Sequence, residues 1–373
     1  MNILITFLNA RRNAFGGIEK SIFSFIDGFF ERNEDEIYVY TAKNGQNEKN
    51  FMYSNYLKIN LNIPVDQIDE TILKHYEEYN NEIAEEIISI IDKKKIEYIL
   101  VVDQLWGILP HIKFRTNIKC RVGIIYHMYF EFQKDIIENT FHLNYDNYFA
   151  VSNDVREKIY LNCVNVPPII ILPNAYNPKE FYNMGLKKKN YIFCNSRLVK
   201  EKGIFDIIKA LQIIHSKNQK IHLVLCGDQF CFGSNKEILG YIQKLKVDNQ
   251  DLNNYIHILN NINWNQIPYI INQAQIVVLP TQYESFGIAA LEAMACGIPL
   301  ITTSVGNLPD LVGDAGKVVG YGEPKNLAQC IISILENREL RGEMMEKEIK
   351  KAKKYVNKNI INYFIKIARY NAV

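Results

Sequence analysis

With 373 residues, 48% of them hydrophobic and 23% charged, the chain has the composition of a soluble globular protein and enough length for two cores rather than one. A net charge of +2 at pH 7 makes no demand for nucleic acid as a partner. Seven cysteines, an odd number with no Cys-x-x-Cys pair, speak against a disulfide framework and a zinc site and suit thiols in a reducing compartment.

The opening NILITFL reads as a strand, since no basic segment precedes a long apolar run as in a signal peptide. Gly16 and Gly17 separate it from a helix over 18–31, in which Ile18, Ile22, Phe25, Ile26 and Phe29 recur at helical spacing. A glycine pair there lets backbone approach a ligand, or is simply a turn; it is not the Gly-x-Gly-x-x-Gly of a dinucleotide site. IYVYT, YILVV, RVGIIY, NYFAVS and IIIL continue as strands. The most apolar stretch, 97–112, is broken by Asp103 and Gln104, so no membrane span is expected and a cytoplasmic protein is. His127 follows RVGIIY at a strand's carboxyl end, where a structural and a catalytic role are evenly balanced.

Residues 172–190, with two prolines, several asparagines, Gly185 and Lys187–Lys189, interrupt the alternation of strands and helices. They read as a hinge between domains over 1–186 and 187–354, closing on a ligand, with the lysines as solvated linker charges. The second half repeats the scheme with YIFCN, HLVLCG, YIHIL, IVVLP, PLITT and KVVG. Such alternation predicts two parallel sheets covered by helices on both faces, which bind ligands at the carboxyl ends of their strands.

Two turns at those ends carry the chemistry. In CNSRLVKEKGIFDIIKAL, Arg197 and Lys202 precede a helix. Cations are unfavourable at that end of a helix unless an anion is bound, and an Arg with a Lys suits a diphosphate. In PTQYESFGIAALEAMACG, a helix is expected from about Ser285 to Cys296, leaving the amides of Phe286, Gly287 and Ile288 as an anion site. Glu284 before it can accept from sugar hydroxyls. Glu292 within it, flanked by Leu291, Ala293, Met294 and Ala295, can take a ribose, because an idle carboxylate in such surroundings is costly. No Asp-x-Asp or His-x-x-x-His occurs, so neither metal nor other cofactor is expected.

ESFGIAALEAMACGIPLITTSVGNLPDLV resembles the donor-site signature of glycosyltransferase family 4, retaining enzymes of the GT-B fold, and FGGIEK, VSNDVREKI, LPNAYNPKEF, SRLVKEKGIFDIIKAL and LCGDQ resemble further family segments in the same order. The resemblance implies an α/β protein of two Rossmann-like domains facing each other across a deep cleft, the N-terminal one taking the acceptor and a terminal helix at about 355–373 packing back on it. It places Glu292 on the donor ribose, Glu284 and His127 by the transferred sugar, and Arg197, Lys202, Ser196, Gly16, Gly17 and the Phe286–Ile288 amides around the diphosphate. Ala175, Met128, Asn307 and Asp310 depart from the family pattern. The implied reaction is a front-face displacement in which a nucleotide diphosphate sugar, UDP-linked by family frequency, glycosylates a saccharide or lipid-linked glycan. Such an acceptor implies peripheral association with the inner face of a membrane and a role in cell-surface polysaccharide or glycoconjugate synthesis. A GT-B UDP-sugar 2-epimerase and a non-catalytic carbohydrate-binding scaffold are the alternatives. The Glu284/Glu292 pair argues against the first, and an intact set of phosphate-binding cations against the second.

Overall fold

The computed structural model describes residues 1–7, 17–32, 34–42, 51–54, 81–102, 120–143, 145–227, 235–248, 252, 254–259 and 262–370. The chain divides into two compact units, Met1–Ala175 with Asn357–Val373, and Tyr176–Val356.

In the first unit the strands are β1 (Asn2–Thr6), β2 (Glu36–Ala42), β3 (Phe51–Ser54), β4 (Tyr98–Val102), β5 (Arg121–Tyr126), β6 (Asn147–Ala150) and β7 (Ile169–Ile171). The helices are α1 (Gly17–Arg32), α2 (81–94), α3 (Lys134–Phe141) and α4 (Asn153–Asn162). The seven strands form one parallel sheet in the order β3-β2-β1-β4-β5-β6-β7. β4 is YILVV and buried throughout, the continuous apolar run that a parallel strand covered on both faces requires.

The second unit begins with β8 (Tyr191–Asn195), α5 (Ile204–Ser216), β9 (His222–Cys226), α6 (Asn235–Asp248) and β10 (Ile256–Leu259). It continues through α7 (Ile267–Gln273), β11 (Ile276–Leu279), α8 (Ile288–Cys296), β12 (Leu300–Thr303), α9 (Leu308–Val312) and β13 (Lys317–Val319). It ends with α10 (Pro324–Glu336) and α11 (Arg338–Ala352). Its six parallel strands run β10-β9-β8-β11-β12-β13, the doubly wound order in which the chain reverses direction between β8 and β11. Ile207, Leu211, Leu223, Leu225, Val278, Ile301 and Ile331 meet in its core.

The twelve strands expected from the sequence are all present; β3 was not among them. The division falls at 175/176 rather than 186/187, because 176–190 is tied to the second unit. The Tyr176 N–H donates to Tyr355 O at 3.0 Å, Trp264 Nε1 to Glu180 at 3.1 Å, and the Met184 N–H to Asn272 Oδ1 at 2.8 Å. Nor is the lysine run a wholly solvated linker: the Lys188 ammonium donates to Asn272 O at 2.8 Å, and burial of that head group lowers it to about 8. α12 (Asn357–Tyr370) returns to the first unit, where Phe364 lies edge-on to Phe25 at 5.3 Å and Tyr98 at 5.4 Å. Burying one such ring contributes roughly 1.5–3 kcal/mol. No helix among the described residues is long and apolar enough to cross a membrane.

Candidate functional site

The reversal of strand order puts the turns after β8 and β11 side by side, and these are the two turns the sequence singles out. They are joined at close range. The Gln282 N–H donates to Glu201 O at 2.7 Å, Thr281 Oγ1 donates to Glu201 O at 3.2 Å, and a Cβ at Gly203 would lie 1.8 Å from Pro280 O. Gly203 is left-handed at φ 67°, closing the single turn 200–202 and starting α5, so its lack of a side chain serves both backbone conformation and contact.

That junction brings two site residues from 82 positions apart into an ion pair. Lys202 Nζ donates to Glu284 Oε2 at 3.0 Å and to Tyr283 O at 3.4 Å, with the lysine side chain 17% and the glutamate side chain 27% exposed. The guanidinium of Arg197, a half-buried residue, has no hydrogen-bond or ion-pair partner among the described residues. The backbone of Ser196 is fixed by its N–H to Cys226 O at 3.0 Å. Of the cations in the turn after β8, Lys202 is engaged, the Arg197 guanidinium is unpaired, and Lys200 is exposed.

α8 begins at Ile288 rather than Ser285. Gly287 stands at φ 101° as the residue before the helix, a conformation that excludes Phe286 and Gly287 from the helical run. No side chain caps this end, so the first amides of α8, starting with Ile288, are free to meet an anion. Phe286 is a buried anchor whose ring packs edge-on against Tyr355 at 5.8 Å. Glu292, one turn into the helix, is 1% exposed and accepts from Asn195 Nδ2 at 3.4 Å.

The family model described as glycosyl transferases group 1 matches residues 178–354. The matched stretch coincides with the second unit and contains every residue of the site just described. N-acetyl-alpha-D-glucosaminyl L-malate synthase of Bacillus anthracis is 29% identical over 172 residues, 45% of this chain and 42% of that protein. The chain spans about half the length of the curated relatives it matches. Solved structures match from end to end. Sucrose-phosphate synthase from Thermosynechococcus elongatus has a TM-score of 0.78 at 17% identity, covering 99% of this chain and 98% of that one. Anabaena HepE, solved with UDP and glucose, has a TM-score of 0.70 at 14% identity and 99% coverage of both. With two Rossmann-like units in one chain, these likenesses establish the GT-B fold.

Two residues that sequence reasoning did not place in the site hold the loop of the matched stretch. Asn307, noted only as a departure from the family pattern, donates from its N–H to Glu284 O at 3.2 Å and from Nδ2 to Phe286 O at 3.0 Å. Thr281 Oγ1 donates to Tyr283 O at 2.8 Å. Both are small polar residues whose partners lie in a loop, which no spacing rule discloses.

The remaining expected residues belong to the first unit, apart from the matched stretch. Gly16 lies outside the described residues, and Gly17 is the exposed first residue of α1. His127, directly after β5, is 5% exposed and its Nε2 has no hydrogen-bond partner among the described residues. It lines a cavity of about 10 Å³, room for one water, together with Ser21, Leu172 and Asn174; Ser21 Oγ donates to Asn174 Oδ1 at 2.6 Å. Burial lowers the imidazole to about 3, so at neutral pH it is an uncharged ring able to donate or accept one hydrogen bond.

Proposed function

We propose that this chain is a retaining, metal-independent glycosyltransferase. It moves a hexosyl or N-acetylhexosaminyl group from a nucleotide diphosphate sugar, UDP-linked in the first instance, to a saccharide or lipid-linked glycan acceptor in cell-surface polysaccharide or glycoconjugate synthesis. The observation that carries the reading is the meeting of Lys202, Glu284 and the uncapped start of α8 where the strand order reverses, with Arg197 unpaired in the same turn as Lys202. Cations and helix amides answer a diphosphate, and a carboxylate answers sugar hydroxyls. Transfer begins as the bond between the anomeric carbon and the diphosphate oxygen breaks; the acceptor hydroxyl oxygen bonds to that carbon on the same face and its proton passes to the departing diphosphate. Negative charge gathers on the departing diphosphate, where Arg197, Lys202 and the α8 amides lower its energy. Glu284 faces the sugar ring as that ring gains positive charge. The absence of an Asp-x-Asp pair from the sequence and the presence of Arg197 and Lys202 in one turn support a metal-independent donor site. The expected setting is cytoplasmic, at the inner face of a membrane when the acceptor is lipid-linked.

The test is a thermal-shift screen of UDP- and GDP-sugars followed by release of nucleoside diphosphate from the donor that stabilises most. Release that rises with acceptor and persists in EDTA is expected, with turnover falling roughly 100-fold or more in Arg197→Ala, the scale for losing one preorganised donor. Stabilisation by no nucleotide sugar refutes the reading; loss of turnover in EDTA with recovery in manganese refutes its metal independence.

A further inference from the structure

Lys202 is engaged where Arg197 is not, and that difference has a consequence for what the site can retain. The pair is held in place by backbone. Lys202 sits in a turn that Gly203 presses against Pro280 O, and Glu284 sits in a loop fixed by the Asn307 N–H at 3.2 Å. Only the two side chains are left to move, and each can leave the other only for a partner of the opposite character. A nucleotide diphosphate sugar brings both partners, phosphate oxygens for the ammonium and hydroxyl donors for the carboxylate. A nucleoside diphosphate without its sugar brings only the first. It must draw Lys202 from Glu284 while leaving a carboxylate, 27% exposed, next to additional negative charge.

We propose that the Lys202–Glu284 ion pair is a latch that only a nucleotide diphosphate still carrying its sugar opens without loss, so that the site favours donor over the nucleoside diphosphate product. The latch rests on the transferase reading and adds to it a selectivity built from one contact. Once the sugar has been transferred, Glu284 loses its hydroxyl partners and recovers Lys202. The diphosphate is then left with Arg197 and the α8 amides, and product release is promoted.

Calorimetric titration with UDP and GDP tests this without knowledge of the sugar. Glu284→Gln is expected to bind whichever nucleoside diphosphate the wild type binds roughly two- to fivefold more tightly, the span of a partly exposed ion pair. In a Lys202→Met background the same substitution is expected to give no gain, because no pair remains to be broken. Equal or weaker binding in Glu284→Gln, or an equal gain in the Lys202→Met background, overturns the latch and leaves the transferase reading standing. Failure of both the wild type and Glu284→Gln to bind either nucleotide overturns both. Glu284→Asp, which keeps the charge and withdraws it by one methylene, is expected to give a smaller gain in the same direction and replaces the Gln variant if that variant does not fold.

Discussion

Gly203→Ala concentrates two strains at the junction that builds the site. At φ 67° an alanine carries the left-handed penalty of roughly 1–2 kcal/mol, and its Cβ, 1.8 Å from Pro280 O, forces two backbone turns apart, an overpacking cost of about 1–3 kcal/mol. The sum, roughly 2–5 kcal/mol, is a large part of the 5–15 kcal/mol that holds a typical domain together. Two other glycines separate the contributions. Gly322, at φ 75° with no atom within 4 Å of where a Cβ would stand, carries the conformational penalty alone. Gly240, in α6 with similarly open surroundings and no left-handed backbone, should gain about 1 kcal/mol as alanine from helix propensity. Trp264 reports on this unit from its edge-on contact with Phe181 at 5.5 Å, and Trp106→Phe removes the only other tryptophan. Urea unfolding followed by Trp264 fluorescence should therefore rank the variants Gly240→Ala, wild type, Gly322→Ala, Gly203→Ala in falling stability. Nucleotide affinity should fall in the last alone, because it moves the turn that carries Arg197 and Lys202 away from the start of α8. Stability of Gly203→Ala within about 0.5 kcal/mol of Gly322→Ala would refute the reasoning, since the clash would then be worth nothing.

The two glutamates should separate by role: Glu292→Gln is expected mainly to raise the donor KM, as lost uniform binding does, and Glu284→Gln to lower kcat as well, with a kcat loss confined to Glu292→Gln reversing the assignment. His127, lowered to about 3 by burial, binds fewer protons folded than unfolded between about pH 6.5 and 3, so it withdraws stability as the pH falls through that window. His127→Gln should accordingly melt at a temperature that falls less than the wild type's from pH 7 to 5, and parallel curves would contradict the burial argument. Glu348 has the opposite sign. Burial raises its carboxyl well above 4.5, with Oε1 accepting from the Leu300 N–H at 2.9 Å and Oε2 unpartnered among the described residues, so the folded state holds the proton longer and stability is lost as the pH rises from about 4.5. Glu348→Gln should gain in melting temperature relative to wild type as the pH is raised, and a difference independent of pH would show the carboxyl to be ionised in both states.

Local pattern in the sequence was enough to establish two parallel sheets, because β-branched runs such as YILVV and IVVL alternate with helical spacing, and both signals are properties of neighbouring residues. It also marked the stop of α8 at Gly297, which takes φ 65° after the helix, and the two turns in which Arg197, Lys202 and Glu284 lie. The strand FMYS escaped it, being four residues long and polar at its end. The boundary at 175/176 escaped it as well, since prolines and lysines mark a break in regular structure and say nothing of whether that break docks on α7. Above all, the pairing of Lys202 with Glu284 belongs to the tertiary structure. The two stand 82 residues apart, and only the placement of β8 beside β11, with β9 and β10 on the far side of β8, brings their turns together. Spacing along a chain records which residues share a face of one strand or helix; which strands become neighbours is decided by the burial of both faces of the whole sheet.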